Sequence, residues 1–329
     1  MNKPFYIFLF FILFCCEAKT QTEYITNGSF EQIDSCFGNY ATLGFDIFEW
    51  SGCTGWSNPI KSSSDLWCEN PKVGFYTPPF IPGAAYQNAR TGNNMAGFLV
   101  GSGAIPNNYR EYVQNKLSQT LKINKTYTIE FYLSKGHMPC TTSDIGIKFF
   151  NTKYTNTITY WLTNLIPDAI NDNTNFITDT LGWQKISLNY KASGTENYII
   201  IGCFTDSLNL KMEMPNSCDT AGSGLNYVPG VGYFFIDDVS IIEKEMPELP
   251  NVFTPNGDNV NDVFKLTNCG AILNTSIYNR WGNIEFQTEN QNHFWDGRAT
   301  SGEECVDGIY YYIIETKEKT LKGFIQLIR

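Results

Sequence analysis

The chain has 329 residues, 15% of them aromatic and 17% charged, with a formal net charge of −10. That length allows two domains with cores of their own, and the aromatic weighting leans towards sheet. The acidic balance and the lack of a basic run exclude a nucleic-acid surface, while a total of 2 histidines argues against a His-based metal or acid–base site.

Residues 1–18 read as a signal peptide. Lys3 supplies the positive start, Phe5 to Phe14 is an unbroken apolar run too short to span a bilayer, and Cys16-Glu17-Ala18 places small residues before a cut after Ala18. A competing lipoprotein reading, acylated at Cys15 or Cys16, meets the bulky Phe14 just ahead and is set aside. Cleavage leaves Cys36, Cys53, Cys68, Cys140, Cys203, Cys218, Cys269 and Cys305. An even count in an exported chain favours disulfides, and no CxxC pair suggests a zinc cage. Cys269 and Cys305 follow all the others and are expected to pair. Cys203, within an apolar run, reads equally as a buried thiol.

Residues 43–110 are rich in Gly, Pro, Ser and Trp, and strands are hard to place there. Trp50, Trp56, Trp67, Tyr76 and Tyr86 could stack a glycan, or could simply pack one end of the domain. A ligand surface is expected in these loops. Beyond them, Tyr127 to Ser134 alternates with period two, as does Trp183 to Ala192, with Ile186, Leu188 and Tyr190 inward. Tyr198 to Phe204 is continuously apolar, as a central strand is, and Tyr233 to Ile242 is a further strand. Asn164 to Asp172 allows a turn or two of helix, interrupted by Pro167. A charged, proline-bearing stretch at Glu243 to Pro250 marks a boundary. The expected organisation is a signal peptide at 1–18, a domain at 19–243, a linker at 244–250 and a small β-domain at 251–329. In the last, Asn279-Arg280-Trp281-Gly282-Asn283 turns one hairpin, and residues 317–320 turn another.

Enzyme motifs fail. Gly101-Ser102-Gly103 is no nucleophile elbow. His137 near Cys140 lacks an orienting partner, and Glu130, Asp144, Asp168 and Asp172 cannot be paired across a cleft from sequence. Asn256, Gly257, Asp258, Asn259, Asn261 and Asp262 form an oxygen-rich loop without EF-hand spacing, read as Asx turns around Gly257 rather than a Ca²⁺ loop.

Pro250 to Phe264, Ile277 to Asn283, Trp295-Asp296-Gly297 and Asp307 to Tyr312 together resemble the gliding-motility-associated C-terminal domain, the type B sorting domain of the Bacteroidetes type IX secretion system. The resemblance carries over to Asn256, Gly257, Asp258, Asn261, Asp262, Arg280, Trp281, Gly282, Trp295, Asp296 and Gly297. It departs at Asn259, where the family usually has Gly. It implies export to the cell surface or medium through outer-membrane secretion machinery. Ile25 to Glu31, Thr91 to Gly97 and Gly232 to Ser240 are similar to galactose-binding-like jelly rolls of carbohydrate-binding modules. That implies an all-β sandwich and a structural Ca²⁺ held by Glu31 and Asp237, against a reading in which these carboxylates fasten a loop. No cofactor is required. The expected function is a non-catalytic surface binding protein with a polysaccharide or surface-protein ligand. The alternatives are a polysaccharide hydrolase with unrecognised carboxylates and a structural surface component.

Overall fold

The computed structural model describes residues 21–33, 53–60, 62, 64–68, 80–81, 85–101, 109–136, 138, 140–156, 161–213, 230–244, 249–266, 271–317 and 319–329. The signal peptide, Trp50, Tyr76, His137, Cys36, Cys218 and Cys269 lie outside them. The chain divides into two compact units, Met1–Lys244 and Glu245–Arg329.

In the first unit, two five-stranded antiparallel sheets share one core. One runs Gln184–Lys191, Thr126–Lys135, Val231–Glu243, Met95–Gly101, Asp65–Trp67; the other runs Trp56–Ser57, Tyr112–Lys116, Tyr198–Gly202, Gly146–Phe150, Ala169–Ile170. Alternation in Thr126–Lys135 sends Tyr127, Ile129, Phe131 and Leu133 into the core, where they meet Val113, Ile199 and Ile201 of the other sheet. Side chains on a strand point to opposite faces in turn, so each sheet offers the core every second residue. Tyr198–Gly202 is buried on both faces because a second cluster, with Ile60, Tyr112, Leu162 and Phe204, covers Ile200 from outside. That double covering explains its unbroken apolar run.

Two sequence expectations differ from the structure. Asn164 to Asp172 makes no helix; Ala169–Ile170 instead pairs with Gly146–Phe150 at a sheet edge. Met95–Gly101, within the region where strands are hard to place, is a full strand between Val231–Glu243 and Asp65–Trp67. Its burial on both faces removes the alternation, and Gly97 lies under the Tyr233 ring, where a β-carbon would collide with the hydroxyl.

The second unit is a five-stranded sheet in the order Val252–Phe253, Thr320–Leu327, Gly308–Thr316, Ile272–Tyr278, Ile284–Thr288. Thr320–Leu327 is internal, parallel to Val252–Phe253 and antiparallel to Gly308–Thr316. Phe253, Phe264, Trp295, Tyr310, Tyr312 and Ile325 form its core.

The cysteines correct one expectation. Cys305 is a free thiol, not half of a Cys269–Cys305 bridge. It belongs to the core of its unit, where burial pushes its pKa up. Such a site suits a small apolar side chain as well as it suits a disulfide. Cys53 and Cys203 are also free and buried, whereas Cys68 and Cys140 are disulfide-bonded.

Candidate functional site

A groove of about 960 Å³ opens in the first unit between two short loop segments, Asn173 to Thr178 with Gln184 on one side and Leu210 to Glu213 on the other. The two-residue strand Thr141–Thr142 ties the walls together. It pairs with Met212–Glu213, receives the Ile177 N–H at the Thr142 carbonyl (3.3 Å), and donates from the Thr141 hydroxyl to the Ile177 carbonyl.

Each wall is held by side-chain bonds that the local sequence supplies. The Asn171 amide donates to the Asn175 carbonyl (2.8 Å) and the Ser143 carbonyl (3.1 Å), and the Asn175 amide donates back to Asn171 Oδ1 (2.9 Å). Gln184 donates to Asn175 Oδ1 (2.8 Å) and the Phe176 carbonyl (3.0 Å). The Thr174 hydroxyl and N–H both donate to Asp172 and hold its carboxyl below the usual range. Opposite, Asp144 accepts the Lys211 N–H (3.1 Å), and Thr142 donates to the Lys211 carbonyl (2.7 Å). Asn and Asp fold back on nearby backbone in this way because their short polar side chains reach it. The result is a preformed cleft lined by amides and hydroxyls, with half-buried Phe176 and Met212 as apolar surface. The signal for it was the run Asn171-Asp172-Asn173-Thr174-Asn175, of which the first two residues fall in the stretch read as allowing a turn or two of helix.

Of the five residues expected to offer an aromatic platform, Trp50 and Tyr76 lie outside the described residues, and Trp56 and Trp67 face inward. Trp56 is buried, packs on Phe30 at 4.5 Å and donates from Nε1 to the Asn27 carbonyl. Trp67 is buried and donates to the Tyr233 hydroxyl (2.8 Å), which donates on to Asp65 (2.8 Å). Burying a Trp demands a partner for its N–H, and both residues have found one inside. Tyr86 lies in a short strand, Ala85–Tyr86, paired with Phe80–Ile81.

Glu31 and Asp237 do come together on one turn, residues 90–94. Glu31 accepts the N–H groups of Asn93 (2.9 Å) and Asn94 (2.8 Å) and the Asn94 amide (2.8 Å). Asp237 accepts from the Arg90 (2.7 Å), Thr91 (3.3 Å) and Asp238 (2.7 Å) N–H groups. Asp238, at a bulge with φ 48°, takes the Arg90 guanidinium (2.5 Å) and the Thr91 hydroxyl (2.6 Å). The chemistry of the oxygens suits Ca²⁺, but every oxygen of these three carboxylates already accepts a bond from the protein. Among the described residues no group of three or more His, Cys, Asp or Glu gathers as a metal cage. The set is built as a clamp on the turn.

The carboxylates weighed as a hydrolytic pair are each engaged locally. Asp168 pairs with Lys148 (2.7 Å), Glu130 with Lys185 (2.8 Å), and Asp144 and Asp172 with the groove walls. Asp65 is pushed well up by burial and then by the Glu111 charge. Glu111 accepts the Leu99 N–H and the Tyr109 hydroxyl (both 2.9 Å), which places it within the sheet's bonding.

In the second unit the oxygen-rich loop is a chain of Asx turns. Asn256 accepts the Asp258 N–H (3.0 Å), Asp258 the Val260 N–H (2.7 Å), and Asp262 the N–H groups of Gly257 (2.8 Å) and Asn259 (2.7 Å). Asn259 and Asn261 take φ 66° and 55°, so the departure at Asn259 keeps the left-handed backbone. Gly282 supplies φ 83° in the hairpin turn, where the Arg280 guanidinium lies 4.4 Å from the exposed Trp281 ring. Trp295 is buried and donates to the Arg298 carbonyl (2.8 Å). Asp296 receives the Arg298 N–H (3.0 Å), and the Gly297 carbonyl accepts from Arg329 (2.9 Å).

Known proteins resemble this chain through one family model and through solved structures. The family model described as CHU_C Type IX secretion signal domain matches residues 247–327. No curated protein matches the chain. Similar solved structures include the CBM22-1–GH10 modules of Clostridium thermocellum xylanase 10B complexed with xylohexaose, at 11% identity and TM-score 0.32 over 71% of this chain and 33% of that one. Others are the adhesin domain of Epf from Streptococcus pyogenes (13%, TM-score 0.25, 80% and 91%) and the K1 cleaved adhesin domain of Lys-gingipain from Porphyromonas gingivalis W83 (13%, TM-score 0.27, 61% and 97%). The chain thus spans a third of the xylanase structure's length. Likenesses at this level carry no argument about a ligand.

Proposed function

Residues 247–327 being a type IX secretion signal domain, the chain is exported to the cell surface or the medium with the involvement of that machinery, and we propose that its first unit acts there as a non-catalytic binding protein. The observation supporting this reading is the groove held by Thr141–Thr142. Its hydrogen-bonding groups are fixed before any ligand arrives, which lowers the ordering cost of binding, and its size is that of a small-molecule or oligosaccharide site. The carboxylates around it serve in its walls rather than as an acid–base couple.

The test uses full-length protein exported from a host possessing type IX secretion. It is offered to intact producer cells and to polysaccharide matrices, and both retention and release of reducing ends are measured. Retention without release is expected. Release of reducing ends that a single Asp or Glu substitution abolishes would establish the hydrolase instead, and neither retention nor release would leave a structural surface component.

A further inference from the structure

Resting on the reading that residues 247–327 carry the export signal, we infer that the outer face of the second unit's sheet is a docking surface for a protein of the type IX machinery, one that presents an apolar strip bordered by carboxylates. In Gly308–Thr316 the side chains of Tyr310, Tyr312 and Ile314 enter the core, so Ile309, Tyr311 and Ile313 stand on the opposite face. Residues directly opposite on paired strands share a face. Tyr311 lies opposite Phe324 on one side and Tyr278 on the other, and Tyr278 lies opposite Ile284. Large apolar side chains thus cross four strands in one stripe, with Ile309 and Ile313 to either side of Tyr311 along its strand. Ile284, Ile309, Tyr311 and Phe324 are each about half exposed. The solvent face of an antiparallel sheet is ordinarily polar. Contiguous exposed apolar surface marks an interaction site, whereas single exposed residues such as Leu181 and Leu208, on separate turns, need no such reading.

Size and charge decide between occupants. The stripe spans roughly 14 Å across its strands, and with its flanks it covers on the order of a few hundred Å². A stable dimer buries about 800 Å² on each partner, so this face suits a contact that forms and releases, as the handling of cargo requires. Lys322 stands opposite Ile313, beside the stripe, and Arg280 with the exposed Trp281 stands at its other end, on the hairpin turn that follows Tyr278. Of the acidic residues on these strands, Glu285 accepts the Asn279 amide (2.6 Å) and Glu315 stands two rows from the stripe, opposite Thr320. In a two-fold pair of copies the stripes run against each other, which sets Lys322 of one copy towards Arg280 of the other, cation on cation. Carboxylates on a different protein answer both. Trp281 adds an anchor, since Asn279 fixes its turn by accepting the Trp281 and Asn283 N–H groups (both 3.0 Å), and an exposed Trp beside an Arg is the residue chemistry that dominates protein interfaces.

The experiment follows full-length protein in a type IX host and measures the fraction reaching the surface or medium. Tyr311→Thr with Phe324→Thr keeps strand-forming residues in place and removes two apolar contacts; export should fall about tenfold, the loss of two interface anchors, with the melting temperature of the purified protein close to parental. Each change is also read singly, so that a double variant that folds poorly still leaves two measurements. Lys322→Glu should lower export at least about threefold and Lys322→Arg should leave it unchanged, while Val306→Thr, equally exposed but in a loop, should export as the parent does. A photoreactive benzophenone side chain at position 311 should crosslink in the cell to a component of the type IX machinery, identified by mass spectrometry. A crosslink to a second copy or to the first unit of the same chain would overturn the inference, as would parental export of the well-folded single variants or indifference to Lys322→Glu. Parental export of the variants discards this face and leaves residues 247–327 as the export signal, whereas retention of the parent itself in the periplasm discards the export reading.

Discussion

Asp237 accepts three backbone N–H bonds, which favour its charged form, yet burial and the neighbouring Asp238 charge prevail and push its carboxyl up to about 7. An unfolded Asp titrates near pH 4. Between those values the folded chain holds the proton and the unfolded chain does not, so this group's contribution makes stability fall as pH rises through the window. Above about pH 7 the ionised form costs a constant amount, on the order of a few kcal/mol. Asp237→Asn should therefore flatten the melting-temperature profile between about pH 5 and 8, and a variant profile parallel to the parent's would remove Asp237 as the source. The same melts examine calcium. Because the oxygens of Glu31, Asp237 and Asp238 are already bonded, equal melting temperatures in Ca²⁺ and in chelator are expected. A rise in Ca²⁺ that Asp237→Asn abolishes would make these carboxylates ligands after all. The thiols give a further residue-level expectation. Burial pushes Cys53 up to about 12 and raises Cys203 and Cys305 as well. Thiolate is the reactive form, so peptide mapping should find these three alkylated only after unfolding; labelling of Cys305 in the native protein would contradict its place in the core.

At the scale of strands, Met95–Gly101 is held by a close approach rather than by alternation. The Tyr233 ring crosses Gly97 to reach Asp65, and Trp67 donates to the same hydroxyl. Gly97→Ala should displace that ring and cost about 1–3 kcal/mol, read as a lower urea midpoint with unchanged slope; parental stability would show that the ring has room to move. Thr320–Leu327 is the strand on which the second unit depends, since it lies between Val252–Phe253 and Gly308–Thr316. Removing residues 321–329 takes from Val252–Phe253 its partner strand and leaves Gly308–Thr316, paired then only with Ile272–Tyr278, as an apolar edge. The truncated protein should accumulate in the periplasm, and its appearance at parental levels on the surface or in the medium would refute the need for an intact sheet in export.

For the molecule as a whole, the two units divide the work. The second carries the secretion signal over residues 247–327, and each unit has a core of its own. A passenger protein fused to residues 245–329 and given a signal peptide should reach the surface or medium in a type IX host, without acquiring retention on matrices that hold the full-length chain. Passenger that stays in the periplasm would mean that export needs features of the first unit, and passenger that is retained would move ligand binding into the second.

The sequence by itself determined what local pattern can encode. Period-two alternation at Tyr127 to Ser134 requires a strand with one face inward, whatever lies opposite. Asn279 to Asn283 and the loop Asn256 to Asp262 close on themselves through short side chains and left-handed backbone, so their conformations travel with their residues. The export signal, spread over several motifs in register, was legible for the same reason. Only the tertiary structure decided the rest, because it depends on what distant segments place beside a residue. Trp56 and Trp67 have the chemistry of a stacking platform, and Phe30 and Tyr233, far from them in sequence, make them core. By sequence Cys305 is expected to bridge, because it and Cys269 stand apart from the other cysteines, and the packing around it makes it a buried thiol. Glu31 and Asp237 meet on one turn because the start of the chain and the Val231–Glu243 strand both reach residues 90–94. The groove exists because Thr141–Thr142 bonds two loops on either side of it, a juxtaposition across some seventy residues of chain that no local pattern of hydrophobicity records.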